Sequence, residues 1–210
     1  MKRNDSEYLL KFFTTMTQEL KTILLVSVIL LLPSCSKIKI KPSAEVVTKS
    51  YSLNQIKSIA VASPAVMVYY SQENTSSIKI EGPANMVEAL SVKTDASQKL
   101  MIELKNSDMF DITSDSQFIK IWISSPSVNS FEVMDGASMI VPDPICSPTT
   151  VAINTYAGSE AIFSDIKSKY VEANAFQGSV ISINRVQASY IDAIPYTDAT
   201  IIISGDTIKP

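Results

Sequence analysis

The chain contains no histidine among its 210 residues. Ser-His-Asp and Cys-His catalytic arrangements need an imidazole as general base, and many zinc sites need one as a ligand. The sequence therefore excludes these classes of hydrolase and histidine-ligated zinc. We expect no enzyme, no catalytic residue, no cofactor and no metal site.

Positive charge is also scarce. The net charge is −3, and Arg3 and Arg185 are the only arginines. A nucleic-acid-binding protein needs a basic face to neutralise phosphates, so nucleic acid is excluded as a partner. With 46% hydrophobic and 19% charged residues, the composition is that of a globular protein.

Cysteine occurs twice, as Cys35 and Cys146. Cys146 lies in the proline-rich segment 142–148, away from the basic or helix-N-terminal surroundings that activate a thiol. A structural, partly buried cysteine is therefore favoured over a functional one.

An uncharged run of ten residues, Ile23–Leu32, is followed by Pro33-Ser34-Cys35. It is too short to span a bilayer and has the length of a signal-peptide core. The end of the run resembles the lipobox of bacterial lipoproteins, in which the cysteine receives diacylglycerol. We predict a signal peptide over 1–35 with lipid attached at Cys35. Because the first fifteen residues are a polar extension, Met16 is a candidate for the true start. The alternative is a buried N-terminal element that ends at an incidental cysteine.

Residues 36–50 are predicted to be a tether. Ser36–Pro42 alternates basic and apolar residues, which suits either a solvated linker or a segment lying on anionic headgroups, and the linker is favoured. We expect an outer membrane lipoprotein that contacts the membrane through its lipid. The absence of acidic residues just after Cys35 favours the periplasmic side over the cell surface, without deciding between them.

Residues 51–125 are predicted to form an N-terminal β portion, because apolar residues recur at every second position in short runs. These runs are Ile56–Val61, Ala65–Tyr70, Ser77–Ile80, Leu100–Leu104 and Phe118–Ile123. One short helix is predicted over Pro83–Leu90, with proline in its first turn. Residues 106–117 are predicted to be a surface loop.

Residues 126–210 repeat themselves. Gly136, Gly158 and Gly178, three of the five glycines, occupy one phase of a repeat with steps of 22 and 20 residues, and Asp198 follows after another 20. Glycine and aspartate tolerate turn conformations that other residues avoid, so this phase is predicted to be a corner. A period near 20 with short β segments indicates a β-solenoid, one coil per repeat.

Strand alternation predicts which side chains face inward. Positions seven, five and three before the corner are mainly apolar and are expected to line the interior: Val151, Val171, Ile191, Phe131, Ile153, Ala173, Ala193, Val133 and Ala175. Positions six and four before the corner are mainly polar and are expected to face outward: Ser130, Glu172, Asp192, Glu132, Asn154 and Asn174.

Aromatic residues recur at two further phases. Met134, Tyr156, Phe176 and Tyr196 stand two before the corner, and Tyr170 and Tyr190 stand eight before it. Rows of aromatics on a β face are platforms for sugar rings or protein contacts, so all five of these aromatics are candidate binding residues. The alternative, which the sequence favours, is that they are covered or only stack on one another.

Acidic side chains offer a glycosidase pair or a calcium site as a further hypothesis. The residues concerned are Glu132, Asp135, Glu160, Glu172 and Asp192. No calcium-binding repeat pattern accompanies them, so solvated surface charges are the favoured interpretation.

The segments Ile56–Val61, Asp135–Ser138, Ala157–Ser159 and Gln177–Ser179 resemble the auto-transporter adhesin head family of Bacteroidetes lipoproteins, also called the head GIN domain family. The resemblance covers roughly Tyr51 to Gly205. It implies a right-handed parallel β-helix-like solenoid packed with an N-terminal β portion as one domain, and it suggests adhesion. The last coil lacks the glycine, as a terminal capping coil would.

Three functions follow as hypotheses. The first is a lipid-anchored, non-enzymatic, adhesin-like module that binds glycan or an envelope or host protein. The second is a periplasmic lipoprotein with a structural or partner-binding role. The third and weakest is a carbohydrate-active β-helix enzyme, because few cations lie in the solenoid half.

Overall fold

The structure is a computed structural model of the chain, and it describes residues 39–112, 119–204 and 206–208. The predicted signal peptide, Met16, Cys35 and the first residues of the predicted tether lie outside the described residues, as does most of the second half of the predicted loop 106–117.

The described part of the chain is all-β, as the sequence predicts. It contains fourteen strands, one α-helix and one 3₁₀ turn at Ser107–Met109. In chain order the strands and the helix are β1 (Val46–Ser52), β2 (Ser58–Ala62), β3 (Val66–Ser71), β4 (Ser77–Pro83), α1 (Ala84–Ala89), β5 (Leu90–Thr94), β6 (Lys99–Leu104), β7 (Ile119–Ser124), β8 (Ser130–Met134), β9 (Ser138–Val141), β10 (Ile145–Thr155), β11 (Glu160–Ala175), β12 (Val180–Pro195), β13 (Thr200–Ile203) and β14 (Asp206–Ile208).

All fourteen strands belong to one sheet that curls into a half barrel. The main path runs β1-β4-β7-β3-β9-β11-β10-β8-β2-β6-β5, while β12 pairs with β11 and β13, and β14 pairs with β13. Strands β1 and β5 therefore form the two ends of the main path. Within the described residues, each has hydrogen-bonded partners on one side only.

Six pairs of strand segments stack in parallel, and each pair is called a level here. Levels 1, 2 and 3 are β6 with β7, β2 with β3, and β8 with β9. Levels 4, 5 and 6 are residues 150–163, 170–183 and 190–203, which combine the end of β10 with the start of β11, the end of β11 with the start of β12, and the end of β12 with β13. Level 2 precedes level 1 in the chain but lies between levels 1 and 3 in space.

The core is built from side chains at equivalent positions of successive levels. One column in register is Leu100, Ile59, Phe131, Ile153 and Ala173, all fully buried. A second buried column crosses the other half of each level: Ile121, Val68, Met139, Ala161, Ile181 and Ile201. Parallel pairing without an offset places equivalent positions of successive levels next to one another, so each column of buried side chains is continuous.

Aromatic rings join the levels inside this core. Phe131 packs edge-to-face against Tyr70 and Phe163, with ring centroids 5.4 and 5.2 Å apart. The Tyr70 hydroxyl donates a hydrogen bond of 2.7 Å to the carbonyl of Ser125. Burial raises the pKa of Tyr70 to about 12, because the phenolate would lose its hydration.

The predicted corners are confirmed. Gly136, Gly158, Gly178 and Asp198 have φ of +73°, +68°, +70° and +58°, and the residue before each also has positive φ. At Gly158 and Gly178 a Cβ would meet nothing within 4 Å, so glycine is there for its backbone conformation and not for space.

The sequence-predicted strands and helix are found, with small shifts at their ends, and two strands were not predicted. Val46–Ser52 pairs with β4 as an antiparallel strand, so the predicted tether 36–50 is wrong over Val46 to Ser50. This strand was not predicted because polar residues such as Lys49 interrupt its apolar pattern. Leu90–Thr94 is the second, an edge strand paired with β6.

The interior predicted from the repeat is confirmed except at the last level. Seven of its nine residues are fully buried, but Ile191 is 48% exposed and Ala193 only partly buried. Burial is lost there because β13 pairs only with residues 180–183 of β12, and no described strand lies beyond residues 190–195. The structure also corrects the expected burial of Cys146, which is exposed.

Candidate binding surfaces

The candidate aromatic residues lie on the outward side of three neighbouring parallel segments, residues 150–156, 170–176 and 190–196, which we call the ladder face. Each aromatic belongs to one of two rows, at opposite ends of the segments. Six residues of strand separate the rows, or about 20 Å. The structure therefore brings the five predicted residues together as two groups.

The first row is Tyr156, Phe176 and Tyr196. Their rings stack with centroids 4.8 and 4.4 Å apart, and each pair is inclined by only 3°. Tyr156 and Phe176 are half-buried, whereas Tyr196 at level 6 is 40% exposed. The rings stack on one another, as one of the two alternatives predicts, and the last ring also faces solvent.

The second row is Tyr170 and Tyr190, with centroids 5.2 Å apart and planes inclined by 13°. Tyr190 is 64% exposed, and the Lys169 ammonium lies 5.0 Å from the centroid of Tyr170. A polar groove is formed partly by the residues that precede Tyr170 and Tyr190 in the sequence. It is lined by Ser147, Lys167, Ser168, Gln187, Ala188 and Ser189.

Between the two rows the ladder face is mostly polar. Asn174 donates a side-chain hydrogen bond of 3.1 Å to Asn154. Glu172 and Asp192 stand opposite each other in register and are exposed. The ladder face thus presents aromatic rings at both ends and hydrogen-bonding groups in the middle.

Buried serines, whose role the sequence analysis missed, fix the backbone beside the first row. Ser159 accepts from the amide of Tyr156 at 3.1 Å and donates to the carbonyl of Val133 at 2.7 Å. Ser179 accepts from the amide of Phe176 at 2.9 Å and donates to the carbonyl of Thr155 at 3.0 Å. Each hydroxyl links its own level to the preceding one. The Gly-Ser pair at two corners was the available signal.

A second candidate site lies between the two ends of the main sheet path, and the sequence did not predict it. It is a cleft of about 340 Å³ beside α1, lined by both aliphatic and polar side chains. Its lining residues come from β1, β4, α1, β5, β6 and the residue after β1: Lys49, Tyr51, Leu53, Ile78, Ile80, Val87, Glu88, Leu90, Val92, Thr94 and Leu100.

Strand register explains why these side chains converge. Lys49 and Tyr51 pair directly with Ile80 and Ile78 of β4, so they share the inward face of that pair. On the other wall, Val92 and Thr94 pair with Ile102 and Leu100. Because β1 and β5 do not pair with each other, the inner face of the half barrel stays open between them.

The described chain begins beside the 3₁₀ turn. The Ile40 amide donates to the carbonyl of Met109 at 2.7 Å, and the Asp111 amide donates to the carbonyl of Ile40 at 2.9 Å. The described residues hold no helix with the length and hydropathy needed to cross a membrane.

The acidic residues do not form a metal site in the described ranges, where no three acidic or cysteine side chains cluster suitably. Glu132 forms an ion pair with Lys99 at 2.8 Å. Asp165 forms a two-pronged pair with Arg185, and this hydrogen bonding holds the pKa of the Asp165 carboxyl below its usual value.

Parallel levels, glycine corners and stacked aromatic rows define an all-β domain. The chain belongs to the family described as "Putative auto-transporter adhesin, head GIN domain", whose model matches residues 54–208. The resemblance drawn from the corner motifs is therefore confirmed.

Solved structures share the fold at low identity. A structure described as "a putative adhesin" from Parabacteroides merdae is 15% identical with a TM-score of 0.58, and the match covers 80% of this chain and 76% of that one. A "Putative lipid binding protein" from Parabacteroides distasonis is 17% identical with a TM-score of 0.59, covering 71% of this chain and 62% of that one. No curated protein matches the chain significantly.

Proposed function

We propose that this protein is a lipid-anchored, non-enzymatic binding module of the cell envelope that presents its ladder face to a glycan or a protein. The family is described as a "Putative auto-transporter adhesin" and one structural relative as "a putative adhesin", which supports an envelope or surface role. The anchor is the lipid at Cys35, and the membrane in question is the outer membrane.

The observation that carries the proposal is the arrangement of the ladder face. Exposed Tyr190 and Tyr196 terminate the two stacked rows, with Glu172, Asp192 and Asn174 between them. Sugar rings stack on aromatic faces while their hydroxyls need nearby acceptors and donors. Tyrosine is also enriched in protein interfaces, so the same face suits a protein partner.

The proposal includes a finer fold assignment, a right-handed parallel β-helix-like solenoid. Its support is the parallel register of β11 on β12, which repeats at an offset of 20 residues, and the positive-φ corner at each of levels 3 to 6. Levels 1 and 2 extend the same parallel stack into the predicted N-terminal β portion.

A glycan array with the full chain tests the binding face. The Tyr190→Ser and Tyr196→Ser double variant is expected to lose about ten-fold or more in affinity for any glycan bound, since each stacking ring contributes on the order of 1 kcal/mol. Met101→Ser is the control, because Met101 is 47% exposed on β6, which lies three strands from the nearest segment of the ladder face. Equal binding by both variants would remove the ladder face from the proposal.

Localisation decides between the first function and a periplasmic structural or partner-binding role. Protease treatment of intact cells is expected to remove the protein if it is an adhesin. Protection, with a periplasmic marker also protected, would transfer the proposal to the periplasmic role, which the basic tether after Cys35 favours. Cys35→Ser is expected to release the protein from membranes.

A carbohydrate-active enzyme is the least supported function. A β-helix lyase or hydrolase would need cations and carboxylates converging on one face, and Arg185 is engaged by Asp165. We propose no catalytic role for any residue.

A second candidate function is binding of a lipid. One structural relative is described as a "Putative lipid binding protein", and the observation in this chain that favours the same function is the cleft beside α1 with its aliphatic side chains. Binding of a fluorescent fatty acid by the full chain tests it, and failure to bind would remove this function while leaving the adhesin-like one intact.

A further inference from the structure

We infer that the cleft between β1 and β5 takes a single-chain anionic amphiphile, with its carboxylate at Lys49 and its hydrocarbon chain along the floor. This inference rests on the second candidate function and names its ligand class. It is independent of the ladder face, which lies on levels 4 to 6.

The floor of the cleft is hydrocarbon. Ile78, Ile80, Val87 and Leu100 line it and are at most 4% exposed, so their side chains are fixed by the core beneath them. Leu90 and Val92 form the β5 wall and are only half-buried. An apolar chain laid against them removes their remaining surface from water, which is the main source of affinity for such a ligand.

The size of the cleft favours a ligand with one alkyl chain. Its volume of about 340 Å³ is near the lower end of the roughly 300–1,000 Å³ typical of small-ligand sites. The β5 wall is five residues long, which gives the cleft a length of about 16 Å. A cleft of this volume has room for a single extended alkyl chain and is too small for a diacyl lipid.

Lys49 supplies the charge that the ligand must match. It is the only cation among the lining residues, and it forms no ion pair within the described part of the chain. Its register opposite Ile80 places it on the same face of β1 as Tyr51, where it lines the cleft while its side chain remains exposed to solvent. A carboxylate gives this ammonium a partner while the hydrocarbon chain follows the floor, and the hydroxyl-bearing Tyr51 and Thr94 line the same cleft.

Glu88 is the only acidic lining residue, and it is exposed at the end of α1. It repels a carboxylate and attracts a cationic headgroup. Removing the charge of Lys49 and removing the charge of Glu88 should therefore have opposite effects on the affinity for an anionic ligand. Variants at these two positions serve as a matched pair.

The experiment measures binding of dodecanoate and of the uncharged dodecanol to the full chain by calorimetry, below the concentration at which dodecanoate forms micelles. Lys49→Met is expected to weaken dodecanoate by about three- to ten-fold relative to dodecanol, as for loss of one partly exposed ion pair. Glu88→Gln is expected to leave dodecanoate binding unchanged or stronger. Val92→Trp fills the cleft and is expected to abolish binding of both ligands.

The outcomes separate the inference from the function on which it rests. If Lys49→Met leaves the ratio of the two dissociation constants unchanged, or Glu88→Gln weakens dodecanoate as much as Lys49→Met does, the headgroup assignment is wrong and lipid binding stands. If neither ligand binds, or Val92→Trp binds both as the parent chain does, the cleft is no lipid site and both statements fall. Circular dichroism and melting temperature confirm that each variant is folded.

Discussion

The two ends of the stack of levels are finished in different ways. At level 1, antiparallel β5 and β4 cover β6 and β7, and Leu100 and Ile121 are fully buried. At level 6, β14 covers only β13, and residues 190–195 have no described strand beyond them. Inward-facing Ile191 is consequently 48% exposed.

This difference shows that the terminal level of the parallel stack is buried where antiparallel strands cover both of its segments. Antiparallel strands return the chain across the first level and bury its face. The last level keeps an open edge, and Pro195 and Asp192 on it discourage pairing with another strand, because proline lacks an amide donor and a charge resists burial. The same open end leaves Tyr190 and Tyr196 available to a partner.

The largest effect expected concerns burial at the two kinds of level. Phe131→Ala removes a ring packed between Tyr70 and Phe163 and is expected to lower the free energy of unfolding by about 3–5 kcal/mol. Ile191→Ala at the open level is expected to cost less than about 1 kcal/mol. Urea unfolding measures both free-energy changes. Similar values would mean that the side chain of Ile191 is buried in solution and that level 6 is covered.

A pH-dependent effect is expected from Tyr70, near the closed end. Its pKa of about 12 lies above the ordinary value of 10.0, so between these pH values the unfolded chain loses a proton that the folded chain keeps. The stability contributed by the neutral hydroxyl is therefore present below pH 10 and is lost as pH rises toward 12, by up to about 1.4 kcal/mol per pH unit.

Thermal unfolding of the parent chain and Tyr70→Phe over this pH range measures the effect. The parent's stability relative to the variant is expected to decline as pH rises, because the variant lacks the titrating group. A constant difference from neutral pH to pH 12 would contradict the assigned pKa.

A smaller effect is expected at the corner serines of the inner levels. Ser179→Ala takes the hydroxyl partner away from the buried Thr155 Oγ1, at an expected cost of about 1–3 kcal/mol. The amide of Phe176 keeps its 2.9 Å hydrogen bond to the carbonyl of Thr155. Level 6 has Ala199 at the equivalent place and so lacks this link. Chemical unfolding of Ser179→Ala is to be compared with exposed Ser189→Ala, and equal stabilities would show that the hydroxyl does not join the levels.

The smallest effect expected is at a corner itself. Gly158→Ala places a Cβ at φ +68° and is expected to cost about 1–2 kcal/mol, whereas Gly158→Asn is expected to cost less, since asparagine tolerates this conformation. Asp198, with φ +58°, shows that a terminal corner accepts such a residue. Melting temperatures of the two variants rank them, and an alanine variant at least as stable as the asparagine one would reject the backbone explanation.

The sequence predicted those features that depend on local pattern. The corner at Gly158 and the inward direction of Ile153 follow from residue type and strand alternation alone. The stacking of Tyr156 on Phe176 follows from a constant 20-residue step. These are properties that each level carries within itself.

Features that depend on neighbours distant in the chain were missed. Level 2 uses Ser63-Pro64 where level 3 uses Asp135-Gly136, so no glycine revealed that residues 58–71 belong to the same stack. The exposure of Ile191 depends on a strand that is absent beyond it in the described chain. The cleft required Val46–Ser52 and Leu90–Thr94 as edge strands, and neither has a strongly alternating apolar pattern.

The constant register of the later levels also bears on how such a chain changes in length. Ala161 lies opposite Ile181, and Ile181 opposite Ile201, so levels 4, 5 and 6 present one another with the same pairing surface. Deleting residues 157–176 as a block would join Tyr156 to Gln177 and bring a complete level against level 3 in the original register. The number of levels in this part of the protein is therefore not fixed by the sheet, which does not close on itself here. Duplication or loss of one level would lengthen or shorten the ladder face and leave the end with the cleft unchanged.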